Sequence, residues 1–116
     1  MLDLDVSSEE QRYYIALLLD IYGGLLTNKQ KESLELYFQE DLSLSEISEI
    51  KGISRQGVLD NIKNGVKALN KADQKLKILD KIRKYENRLT EIAKIITNAD
   101  IDIKTRQEIL NIIGDN

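Results

Sequence analysis

Leu44-Ser45-Glu46-Ile47-Ser48-Glu49-Ile50-Lys51-Gly52-Ile53-Ser54-Arg55-Gln56-Gly57-Val58-Leu59-Asp60-Asn61-Ile62 reads as two short helices joined by a tight turn, and it places the rest of the chain. Ser45 can cap a first helix that carries Leu44, Ile47 and Ile50 on one side. Gly52 tolerates the positive φ that ends such a helix. Ile53 can plug the angle between the two helices. Ser54 can cap the second, because its hydroxyl can accept from an N–H of the first turn. Val58 and Ile62 sit four apart on an inward face, with Arg55, Gln56, Asp60 and Lys63 elsewhere on the helix. An apolar wedge that props two helices apart and turns the second one's polar face outward is the helix-turn-helix pattern. That pattern usually has an apolar residue just before the turn glycine. Here the position is Lys51, with Ile50 one place earlier, which implies a rotated first helix or a looser turn.

Upstream, residues 1–6 are expected to be loose. Ser7 or Ser8 can cap a helix that opens with Glu9 and Glu10, two acids at the positive end of its dipole. Tyr14, Leu17, Leu18, Ile21, Tyr22 and Leu25 recur at helical spacing. Gly23-Gly24 weakens that helix's end, and Leu26 precedes the next cap. Thr27 and Gln30 form a capping box, for a helix to about Gln39 that buries Leu34, Tyr37 and Phe38.

Downstream, Val66 and Leu69 extend the inward face past Ile62. Gly57 and Gly65 each cost a helix about 1 kcal/mol relative to Ala; at Gly57 the cost is explained if a partner helix or a phosphate backbone comes close. Leu69, Ala72, Leu76, Leu79, Ile82, Tyr85, Leu89, Ile92, Ile96 and Ala99 form a heptad-like seam with an irregularity near Ile82. Asp73 can cap a fresh helix, so the segment is one long helix or two meeting near Ala72. The seam packs back on the first helix, pairs with a second copy, or does both. After a break at Asn98–Asp102, Asp100 or Asp102 caps a last helix expected to bury Ile103, Ile109, Leu110 and Ile113, with Gly114 ending it. No strand-like alternation and no hairpin turn pair occurs. The expected fold is all-α: a helix-turn-helix core with a long C-terminal helical segment. The expected division is a helical bundle over 1–72, containing the motif at 44–63, and an amphipathic segment over 73–116.

The net charge of −3 hides an asymmetry. Residues 1–53 carry 4 Lys/Arg against 11 Asp/Glu, residues 54–94 carry 11 against 5, and residues 95–116 carry 2 against 4. The second motif helix and the helix after it are thus basic within an acidic chain, as a surface facing nucleic acid would be; a lysine-rich solvated face is the plainer explanation. An apolar fraction of 41% and a charged fraction of 32% suit a packed, soluble domain. With 0 Cys and 0 His there is no thiol nucleophile, no thiolate metal site and no neutral-pH acid–base group. Gly23-Gly24 lacks the Gly-Lys-Ser/Thr context of a phosphate loop. Asp3 and Asp5 have no third ligand nearby, and Glu46 and Glu49 read as surface charge on the first motif helix. No enzyme, metal or cofactor is expected. No basic-then-apolar leader opens the chain and no apolar stretch approaches the ~20 residues of a membrane span, so a cytoplasmic protein without membrane contact is expected.

Leu18 to Gln30, Leu36-Tyr37-Phe38, Asp41 to Ile47, Ile53 to Val58 and Asp60 to Lys63 together resemble the YlxM-type helix-turn-helix proteins of Gram-positive bacteria and mollicutes, over roughly residues 14–90. The central part is also similar to the promoter-reading fourth region of sigma factors. The resemblance implies an all-helical DNA-binding protein. It also implies a regulatory part in co-translational protein targeting, since genes of that family lie beside those for the signal recognition particle GTPase and its receptor.

Two functions fit. In the first, Arg55 and Gln56 reach base edges or RNA groups, Ser54 touches phosphate, and Asn61, Lys63 and Lys67 contact backbone, with DNA or the particle's RNA as ligand. In the second, the protein is an interaction adaptor. The seam of Leu76, Leu79, Ile82, Tyr85, Leu89, Ile92 and Ile96 then docks the targeting GTPase or a second copy, making a homodimer.

Overall fold

The computed structural model describes residues 8–114. The expected loose segment over 1–6, with Asp3 and Asp5, lies outside them. Among the described residues there are six α-helices and no strand: α1 (Glu9–Tyr22), α2 (Asn28–Leu34), α3 (Leu44–Lys51), α4 (Arg55–Leu76), α5 (Ile78–Asn98) and α6 (Ile103–Ile113). The fold is all-α. The chain divides into two compact units, Met1–Leu79 and Asp80–Asn116.

The helix starts follow local chemistry. Ser8 Oγ accepts from Gln11 N–H, and Thr27 and Gln30 cap α2 reciprocally. A 3₁₀ turn at Gly23–Leu25 separates α1 from α2. α2 is prolonged by one π turn, Glu35–Gln39, in which Glu40 N–H reaches the Glu35 carbonyl at 3.0 Å. Arg12 ties this turn down. Its guanidinium donates to the Tyr37 carbonyl and to Asp41 Oδ1, and it lies over the Tyr37 and Phe38 rings. Asp41 then leaves the helix with φ 58.

The core of the first unit is Ile15, Leu18, Leu19, Tyr22, Leu34, Phe38, Ile47, Val58, Ile62, Val66, Leu69 and Leu79. α4 runs through it and packs against α1, α2 and α3. Gly65 allows the closest of these approaches: a Cβ there would lie 2.5 Å from Leu34 Cδ1. Gly57 has a different setting, since a Cβ there would meet only the cap, Ser54 Oγ at 3.2 Å and Ile53 Cδ1 at 3.7 Å.

Three expectations about α1 and the α4–α5 region are corrected. Of the expected α1 stripe, Leu18 and Tyr22 are buried and Tyr14, Leu17 and Ile21 pack partly buried against the core; Ile15 and Leu19 join the buried face, while Leu25, in the 3₁₀ turn, is exposed. α4 does not end near Ala72 but runs to Leu76, and the chain breaks at Lys77, a lysine with φ 51. Asp73 caps nothing there; its Oδ1 accepts from the Tyr22 hydroxyl at 2.7 Å, and the Tyr22 hydroxyl oxygen in turn accepts from Ile78 N–H at 3.0 Å. Tyr22 thereby joins the end of α4 to the start of α5. Burial first, and then the Asp73 carboxylate, push its phenol pKa above the ordinary value.

In the second unit Asp102 Oδ2 accepts from Thr105 N–H and Gly114 ends α6 at φ 87. The Thr105 side chain first, and then that bond, hold the Asp102 carboxyl below its ordinary range. Arg106 closes the α5–α6 turn by donating to the carbonyls of Ile96, Ala99 and Ile101. Ile109, Leu110 and Ile113 are half-buried as an amphipathic helix requires. Ile103, expected to be buried, is 80% exposed.

Candidate nucleic-acid interface

α3 is capped two residues earlier than the sequence suggested. Ser43, not Ser45, supplies the hydroxyl, accepting from Glu46 N–H at 3.1 Å, while Glu46 Oε1 accepts from Ser43 N–H at 2.9 Å. The Ser43 N–H foremost, and then the Ser43 hydroxyl, hold the Glu46 carboxyl below its ordinary range. Ile47 is fully buried and Leu44 half-buried, but Ile50 is 61% exposed. The inward side of α3 is therefore narrower than three apolar residues. Lys51 takes part instead, its ammonium meeting Glu32 Oε1 of α2 at 2.6 Å. Neither consequence expected from Lys51 is needed, because the helix end is pinned by this pair and the turn is tight.

Gly52 adopts the left-handed conformation, φ 67 and ψ 30, and its N–H returns to the Ser48 carbonyl. Ser48 Oγ donates to the Ile53 carbonyl across the turn. Ile53 does not plug the interhelix angle. It stays 39% exposed and lies over Gly57, and Val58, with no exposed surface, fills the angle from inside. Ser54 Oγ accepts from Gly57 N–H at 2.9 Å and starts α4. The first turn of α4 contains no acid, so the positive end of its dipole carries only Arg55.

At about 100° per residue, Gln56, Asp60, Lys63, Lys67 and Lys71 fall on one exposed strip of α4, opposite the buried Val58, Ile62, Val66 and Leu69. The expected site residues divide accordingly. Gln56, Lys63 and Lys67 share the strip. Arg55 is exposed at the helix start and Ser54 is the cap. Asn61 lies about 160° round the helix from Lys63 and is half-buried. Lys71, not singled out from the sequence, joins the strip, and its spacing of four from Lys67 was the available signal. Gln56 Nε2 donates to Asp60 Oδ1 at 2.9 Å, which fixes both side chains on the strip. Among the described residues the salt bridges are Arg12–Asp41, Lys51–Glu32 and Lys84–Asp80, so Arg55, Lys63, Lys67 and Lys71 are uncompensated.

The chain matches the family model described as "Putative helix-turn-helix protein, YlxM / p13 like" over residues 9–112. It belongs to the UPF0122 family. A UPF0122 protein of Acetivibrio thermocellus is 51% identical over 89 residues, covering 77% of this chain and 76% of that protein. One of Clostridium perfringens is 44% identical over 94 residues, 80% of this chain and 84% of that protein. One of Fusobacterium nucleatum is 42% identical over 88 residues, 76% and 85% of the two chains. The family match agrees with the capped α3–turn–α4 unit. It includes α5 and most of α6 as well, so the C-terminal helices of this UPF0122 chain fall within the family's own length.

The seam residues are placed unevenly. Leu79 is buried in the first unit's core, Ile96 is half-buried, and Leu76, Ile82, Tyr85, Leu89 and Ile92 are exposed. Among the described residues no cluster of three acidic or other ligating side chains could hold a metal, and no helix is long and apolar enough to cross a membrane.

Proposed function

We propose that this UPF0122 protein binds nucleic acid through α4. The observation that supports this most is the strip itself: three lysines, a glutamine and one carboxylate, Asp60, on one exposed face, with Arg55 at the helix start and no ion pair to any of these cations among the described residues. Uncompensated positive charge on a regular face serves a polyanion by releasing its counterions. Arg55 and Gln56 lie in the first turn, where recognition helices read base edges. Lys63, Lys67 and Lys71 follow at intervals of one turn and contact phosphates, while Ser54 offers its hydroxyl proton to a phosphate oxygen. Asn61 is left out of this surface. The Gln56–Asp60 hydrogen bond opens when Gln56 engages a base.

Duplex DNA is the favoured ligand, since the deep, narrow major groove of duplex RNA does not admit such a helix. The targeting role implied by the family resemblance makes signal recognition particle RNA the relevant competitor. The test is a gel shift of the Arg55→Ala/Lys63→Ala variant on upstream DNA of its own operon and on particle RNA, at two salt concentrations. The expected result is at least a tenfold loss on DNA relative to wild type. Unchanged affinity for both probes would remove α4 as the interface.

A further inference from the structure

We propose that α5 pairs in parallel with α5 of a second copy of this chain, over Ile82 to Ile92. This is independent of what α4 binds. From Ile82 onward the seam is regular: Ile82, Leu89 and Ile96 occupy one heptad position and Tyr85, Ile92 and Ala99 the other, at alternating spacings of three and four. Ile82, Tyr85, Leu89 and Ile92 are 39–61% exposed, on a helix that has no buried residue beyond Leu79. The turn closed by Arg106 occupies the Ile96–Ile101 end. The remaining apolar stripe is two heptads long and uncovered.

The charges beside that stripe identify its occupant. Lys81 and Arg88 flank it on one side, at the position before each first core residue, and Glu86 flanks it on the other, directly after Tyr85. In a parallel pair the residue before a first core position meets the residue five further along in the partner. That sets Lys81 against the second copy's Glu86, twice by symmetry. An antiparallel pair of the same core layers sets Glu86 against Glu86 and Arg88 against Arg88 near its two-fold axis, and like charges there oppose assembly. Lys81, Glu86 and Arg88 make no salt bridge among the described residues, the α5 pair being Lys84–Asp80. Arg88 instead lies beside its own seam, its guanidinium 5.5 Å from the Tyr85 ring centre. The surface is thus complementary to itself in one orientation.

The chain contains 0 Cys, so one introduced cysteine reports the pairing directly. Ile82→Cys, under mild oxidation, is expected to cross-link to a covalent dimer. Wild type is expected to sediment as a dimer at micromolar concentration. Leu89→Asp, at an exposed site, is expected to sediment as a monomer with unchanged helical content. Lys81→Glu, which touches no core, is expected to weaken the dimer about tenfold through two like-charge contacts, and Lys81→Glu/Glu86→Lys to restore it. A monomeric wild type, or a dimer that survives Leu89→Asp, would overturn the proposal. So would a mixture in which Ile82→Cys cross-links only to Ile92→Cys, the antiparallel signature.

Discussion

Replacing Tyr22 by phenylalanine removes a single oxygen from the junction of α4 and α5. That hydroxyl donates to Asp73 Oδ1 at 2.7 Å and accepts from Ile78 N–H at 3.0 Å, and the residue is 2% exposed. The ring remains, so apolar burial is nearly unchanged and the loss is polar. A hydrogen bond to a charged group contributes about 1.5–3 kcal/mol and a neutral one about 1. Asp73 is only half-buried, so water replaces part of what it loses and the low end applies. The expected cost is about 2 kcal/mol, a roughly thirtyfold shift in the unfolding equilibrium. Urea melts followed by circular dichroism should show a lower midpoint at unchanged slope. There is also a pH signature. The phenol's folded pKa lies above its ordinary value of 10.0, so above pH 10 the unfolded chain releases a proton that the folded chain keeps. The stability tied to that proton is complete below pH 10 and is lost as pH rises through the folded value. The gap between wild type and Tyr22→Phe should therefore narrow above pH 10. Equal midpoints at pH 7, or a gap that does not narrow, would refute this role for the hydroxyl.

Gly65→Ala should lower the thermal midpoint. Helix propensity favours Ala by about 1 kcal/mol, but a Cβ 2.5 Å from Leu34 Cδ1 overpacks a site where Leu34 has no exposed surface, at a cost of roughly 1–3 kcal/mol. Glu46→Gln keeps an oxygen that can accept from Ser43 N–H but cannot titrate. The wild-type carboxyl's folded pKa is below 4.5, so its contribution is present above that pH and lost as pH falls through the folded value; urea midpoints at pH 7 and pH 3 should differ less in the variant. Ser33→Ala should raise the thermal midpoint by an amount equivalent to roughly 0.5–1 kcal/mol, since the Ser33 hydroxyl is fully buried without a hydrogen-bond partner.

What the sequence revealed well was whatever depends on residues within one turn of each other. The Thr27–Gln30 box, the Ser54 cap and the left-handed glycines at 52 and 114 are all local and are found where the spacing put them, and of the two candidates for the α6 cap, Asp100 and Asp102, it is Asp102. The cap of α3 was equally legible, because Ser43 and Glu46 repeat the spacing of Thr27 and Gln30; Ser45 merely lies nearer the apolar run. Apolar density obscured α1, where residues 13–19 are all apolar and several stripes fit the same period. The α4–α5 break was hidden because a lysine, not a glycine, takes the left-handed turn. Its one trace was the run of three-residue steps from Leu76 to Tyr85, which marks the point where two helices meet. Ile50, Ile53 and Ile103 show that an isoleucine in phase with a core is not thereby in it. On α4 the helical period separates the strip from the core and already sets Asn61 far from Lys63; its half-burial emerged only once α4 was placed against α1, α2 and α3.

The most direct test of the α4 interface is the salt dependence of binding to a 30-bp DNA duplex, measured by fluorescence anisotropy for wild type and for Lys63→Ala/Lys67→Ala. The account expects the logarithm of the association constant to fall linearly with the logarithm of salt concentration. It expects the variant's slope to be shallower by about 1.8, close to 0.9 for each lost phosphate contact. Wild type that fails to bind at low salt, or two slopes that coincide, would contradict it.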